Sequence, residues 1–101
     1  VRAKVGERVG PLLSADQTPV RLLGYGVFEG YHVPEAGAVG WMTEMAHEAG
    51  REVPRILLDN GTHVYSPQCW WGSEERVKAS IGDREVVRVT LPPDEPAEPA
   101  S

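Results

Sequence analysis

Hydrophobic residues in this chain fall into short runs separated by glycine, proline and polar clusters, the rhythm of a small β-rich domain. Val9 to Leu13 is apolar but broken by Gly10-Pro11, which predicts an irregular first strand before the polar loop Ser14 to Pro19. Val20 to Gly30 is rich in Val, Leu, Tyr and Phe and reads as a second strand near 20–29. Gly24, Gly26 and Gly30 are two and four residues apart and so share one of its faces. A strand stripped of side chains on one face bends sharply, or lets another backbone or a ligand approach closely. Bending to close a small barrel is the simpler reading.

Tyr31 to Gly37 reads as a loop, because Val33-Pro34 disfavours helix at its centre. Residues 38–49 then change period: Ala38, Met42, Met45 and Ala49 recur at helical spacing with Trp41 beside them, and Gly50 is a natural stop. The stripe is expected to face the core; the alternative is a groove for a partner. Pro54 to Asp59 reads as a strand, Asn60-Gly61 as the centre of a two-residue type I′ turn, and Thr62 to Tyr65 as the returning strand. Ser73 can cap a short helix over 73–80 whose first turn holds Glu74 and Glu75. A last strand is expected near 85–91.

These elements predict a mainly β, α+β domain. Its centre is a small, highly curved five-stranded antiparallel sheet, or an SH3-like barrel, with one inserted helix (38–49) and a short helix (73–80). An open sheet with the longer helix packed across it is the rival arrangement. Residues 1–91 form the single domain. Residues 92–101 hold four prolines and three acids with no large apolar residue, and are expected to be a disordered tail. The spacing of Pro93, Pro96 and Pro99 also suits a docking peptide.

Charge narrows the choice of partner. The net charge is −5, of which Asp94, Glu95 and Glu98 supply three, so nothing steers the chain toward nucleic acid. No apolar run is long enough for a membrane span, and no apolar stretch follows the charged first residues as in a signal peptide. One cysteine cannot form an internal disulfide, which fits the cytoplasm. Asn60-Gly61-Thr62 matches a glycosylation sequon inside a turn and is read as turn chemistry.

Four segments carry a resemblance: Val5-Gly6-Glu7-Arg8-Val9-Gly10, Leu23-Gly24-Tyr25-Gly26-Val27-Phe28-Glu29-Gly30, Leu57-Leu58-Asp59-Asn60-Gly61 and Cys69-Trp70-Trp71-Gly72. Together they resemble a set of small uncharacterised bacterial and phage proteins, over most of residues 5–75. The likeness implies no activity. The pattern of elements is also similar to SH3-like and KOW-type barrels, a likeness of fold alone.

Candidate chemistry is sparse. Cys69 with His32, His47 or His63 would be needed for a thiol nucleophile or a metal site, but no metal-ligand spacing is present and bulky indoles follow the thiol. A buried, inert cysteine is expected, with no cofactor and no metal. Gly37 and Gly40 precede a helix without the lysine of a phosphate loop. The aromatics Tyr25, Phe28, Tyr31, Trp70 and Trp71 are the candidate contact residues. The expected function is a non-enzymatic binding module for a protein partner or for itself. The alternatives are a nucleic-acid-binding barrel and a small Cys/His metal protein or enzyme.

Overall fold

The second apolar run bends where its glycines cluster, and the rest of the sheet follows. In a computed structural model, which describes residues 4–14 and 18–91, this run is two strands, β2 (Val20–Leu22) and β3 (Gly26–His32). They are separated by Leu23 to Tyr25, with Gly24 at φ 135°. β1 (Arg8–Ser14) pairs antiparallel with both halves along one edge: Arg8 and Val9 face Val27 and Gly26, and Leu12 faces Leu22. The bend thus lets one strand be shared by two, which is how a small sheet curls.

Gly26 makes the tightest of these contacts. A Cβ there would collide with the Leu57 carbonyl oxygen and lie 2.7 Å from Leu58 Cα, both in the backbone of β4 (Val53–Leu58). The glycine face therefore serves close approach of a neighbouring strand. β4 pairs with β3 on one side and with β5 (His63–Tyr65) on the other. The register of β3 and β4 slips by one residue between Phe28 and Tyr31, a bulge that brings both rings to the same side.

The result is an α+β fold built on a strongly curled half-barrel sheet, as expected, but with seven strands among the described residues instead of five. The stretch Trp70–Ser73 was not expected to be a strand; it is β6, antiparallel to the free edge of β1. Helix α2 (Glu74–Ile81) follows directly, capped by the Ser73 hydroxyl, which accepts from Arg76 N–H at 3.2 Å. It leads to β7 (Val86–Arg88), which is parallel to β2 and so departs from an all-antiparallel sheet. The reason is the helical crossover: a chain leaving β6 and crossing β1 and β2 on a helix returns in the direction of β6.

Two further expectations need correction. The longer helix, α1, spans Trp41–Ala49, because Gly40 sits at φ 103°, outside helical geometry, so Ala38 is not part of it. The hairpin between β4 and β5 has a three-residue loop, Asp59 to Gly61, closed by Gly61 N–H to Leu58 O at 2.9 Å. Gly61 takes φ 92° after the turn, the usual alternative to a two-residue type I′ loop.

Apolar residues bury on both faces of the sheet. Val9, Leu23, Phe28, Ile56, Leu58 and Val64 form one cluster, and Leu12, Val20 and Leu22 meet Val77 and Ile81 of α2 in another. Arg8 ties the surface together, donating to both carboxylate oxygens of Asp59 at 2.7 and 2.8 Å and to Glu74 at 2.9 Å. The hydrogen bonds from Arg8 hold the Asp59 carboxyl below its ordinary range; those from Lys78 and Arg8 do so for Glu74. The tail assigned to 92–101 lies outside the described residues.

Gly26→Ala should destabilise the fold by at least about 3 kcal/mol in urea denaturation, because only backbone lies in the way of the new methyl. A variant that unfolds with the parent would show that the two strands are not held this close.

Candidate functional site

Helix α1 is seated by small residues. Thr43 and Ala46 are its buried positions, and they let it lie close to a 3₁₀ turn at Ser66–Gln68. Polar contacts fix the ends. His47 Nδ1–H donates to Pro34 O at 2.7 Å, and Gln68 Nε2–H donates to Val39 O at 2.9 Å. Arg51 N–H to Ala46 O at 2.8 Å and Gly50 N–H to His47 O at 3.2 Å close the last turn as a Schellman motif.

With Thr43 and Ala46 turned inward, the methionine stripe must turn outward. Trp41 is 69 % exposed, Met42 53 % and Met45 57 %, which overturns the expectation that this stripe faces the core. At 100° per residue, Trp41, Met45, Ala49 and Met42 occupy one arc of the helix, opposite Thr43. The small residues, not the large apolar ones, are the buried positions of the helix.

A second contribution comes from β6. Side chains alternate along a strand, so the adjacent indoles of Trp70 and Trp71 part company. Trp71 stacks on Phe28 with ring centroids 5.2 Å apart and an interplanar angle of 19°, whereas Trp70 is 74 % exposed. Two open grooves connect these parts. One, of about 330 Å³, runs along Trp41, Met42, Met45, Val53 and Pro67. The other, of about 500 Å³, crosses Met42, Pro67, Cys69, Trp70 and Trp71. Met42 and Pro67 line both, so the two form one surface. Apolar exposure this concentrated differs from the scattered hydrophobic residues of an ordinary surface.

The candidate contact aromatics separate accordingly. Phe28 is core, and Trp71 is half-buried against it. Tyr25 lies against Gly10 with Lys78 Nζ 5.1 Å from its ring centre. Tyr31 is half-exposed with its ring edge-on to Phe28. Of the five, Trp70 stands open on the exposed surface and Trp71 lines its groove from a half-buried position, and Trp41, Met42 and Met45 were not among the candidates. The signal that could have found them is Thr43 and Ala46, a second, smaller stripe on the opposite side of the helix.

The histidines and the thiol make separate contacts. His32 Nε2–H donates to Glu29 O at 2.9 Å, His47 is tied to Pro34, and His63 Nε2 lies 3.1 Å from the Glu29 carboxylate. Cys69 points its sulfur at Tyr65 O, 3.6 Å away. Among the described residues no group of three or more His, Cys, Asp or Glu could hold a metal ion. Burial pushes the Cys69 thiol up to about 12, the opposite of what a nucleophile needs. No helix among the described residues is long and apolar enough to cross a membrane.

Compared with known proteins, the chain matches no family model, no curated protein and no solved structure.

Two measurements check this geometry. Trp71→Ala should cost about 3 kcal/mol, as large aromatic truncations do, while Trp70→Ala should stay within about 0.5 kcal/mol of the parent. Equal losses would mean that both indoles are packed. Cys69 should react with a neutral-pH thiol reagent on the order of a thousandfold more slowly in the native chain than after denaturation, in line with its scarce thiolate. Rapid native labelling would contradict the buried thiol.

Proposed function

We propose that this domain is a docking module that binds a protein, either a different chain or a second copy, through the surface made by Trp41, Met42, Met45, Pro67 and Trp70. The observation that carries this reading is the outward turn of the α1 stripe. A helix normally buries its apolar arc, and here that arc is the exposed one. Tryptophan supplies large contact area at low conformational cost, and methionine adapts its thioether to irregular partners. Such a surface recognises shape and apolar area and performs no reaction.

The competing readings have less support. An overall charge of −5 works against phosphate backbones. A thiol held in its neutral form, with no histidine among its contacts, offers no activated nucleophile. The single cysteine suits a reducing compartment, and we place the module in the cytoplasm.

The double variant Trp41→Ser/Met45→Ser should keep the parent's melting behaviour to within about 1 kcal/mol, since neither side chain supports the core. It should also lose most of the fluorescence gained by the apolar dye bis-ANS on the parent. A large loss of stability with unchanged dye binding would show that these side chains hold the fold together, and the docking reading would fail.

A further inference from the structure

The exposed apolar surface has carboxylates along the Trp41 side of α1, with Arg51 the one cation lining its groove. Residues 33–52 carry Glu35, Glu44, Glu48 and Glu52 against the single guanidinium of Arg51. The rest of the described chain holds seven carboxylates against eight lysines and arginines. All four of these glutamates are exposed, and among the described residues none takes part in an ion pair. On the sheet the situation is reversed: Glu29, Asp59 and Glu74 are each paired with Arg55, Arg8 or Lys78.

Glu44 and Glu48 are one helical turn apart, and at 100° per residue they flank Trp41 on the side away from Met42. Like charges at this spacing oppose the helix that carries them. The surface is therefore an apolar arc with an uncompensated anionic edge. A ligand that fits it presents apolar side chains and cations at matching positions on one element.

We infer that the occupant of this surface is a cationic amphipathic helix of a partner protein, its apolar face over Trp41 and Met45 and its lysines or arginines along Glu44 and Glu48. This inference rests on the docking reading and specifies its partner. Charge complementarity separates the helix from the other occupants. A second copy of the chain offers this edge four carboxylates and only one cation, Arg51. The chain's own residues 92–101 hold Asp94, Glu95 and Glu98 and no lysine or arginine, which offers this edge nothing of opposite charge. An anionic membrane surface would meet like charge. A helix laid in an apolar groove with flanking cations satisfies both parts of the surface at once.

Titration calorimetry of the full chain with a synthetic Leu/Lys amphipathic peptide, and with the same peptide carrying Glu in place of Lys, tests the inference. The Leu/Lys peptide should bind and the Leu/Glu peptide should not. Glu44→Lys/Glu48→Lys should weaken Leu/Lys binding at least about tenfold and admit the Leu/Glu peptide. The control Glu75→Lys/Asp83→Lys changes the net charge equally, on exposed positions at α2, and should leave the affinity nearly unchanged. An equal loss in the control would mean that net charge alone attracts the peptide and would overturn the inference. Equal binding of both peptides, abolished by Trp41→Ser/Met45→Ser, would overturn the cationic partner while leaving the docking surface standing. Leu/Lys binding that survives the Trp41→Ser/Met45→Ser variant would place the site elsewhere and sink both readings. Binding of neither peptide would overturn the inference alone.

Discussion

The backbone of β4 passes so close to Gly26 that no side chain can stand between them, and the shape of the domain depends on that approach. It occurs where the chain has just turned through Gly24, so β2 and β3 leave the bend in different directions while β1 stays paired to both. A straight strand here would give a flat sheet with two open faces. Two apolar clusters form instead, one around Phe28, Ile56 and Val64 and one that α2 joins through Val77 and Ile81. In a chain this small, one core on each side of a single sheet is an economical way to bury apolar area.

The same curvature determines what is left uncovered. β6 returns along the free edge of β1, and its alternation sends Trp71 to Phe28 and Trp70 to solvent. The turn before it, Ser66–Gln68, is the platform on which α1 rests. The buried side of that helix is the small one. Exposure of the tryptophan–methionine arc is thus a consequence of where β6 must run, and not a separate feature added to the fold.

Much of this was legible from residue order. Glycines two and four residues apart in a Val/Leu/Phe run announced a bend and a close backbone approach, and Ser73 followed by two glutamates announced α2. Cys69 is half-buried and lines the groove, less enclosed than its bulky neighbours suggest. What the order of residues concealed was the outcome of competition between equivalent surfaces. The α1 segment has two stripes at helical spacing, one large and apolar and one of Thr43 and Ala46. Hydrophobicity favoured the first, whereas the second is the one buried. The parallel pairing of β7 was concealed for a similar reason, since it depends on α2 crossing two strands rather than on any property of Val86, Val87 and Arg88 themselves.

Helix α1 gains little from apolar packing within the domain. At nine residues it is shorter than the roughly 12–15 that an isolated helix needs even for marginal stability. Its inward face offers little apolar area, and the Thr43 hydroxyl buried there has no hydrogen-bond partner among the described residues. Leaving such a hydroxyl unpaired costs about 1–3 kcal/mol. The helix is retained by contacts at its ends: Pro34 with His47, Val39 with Gln68, and the Gly50 cap. A partner covering Trp41, Met42 and Met45 would supply the apolar burial that the intramolecular packing withholds. Binding and the stability of α1 are then linked, because whatever favours the docked state also favours the folded helix. An element seated by its small face, with its large face free, remains folded alone yet gains most from being covered.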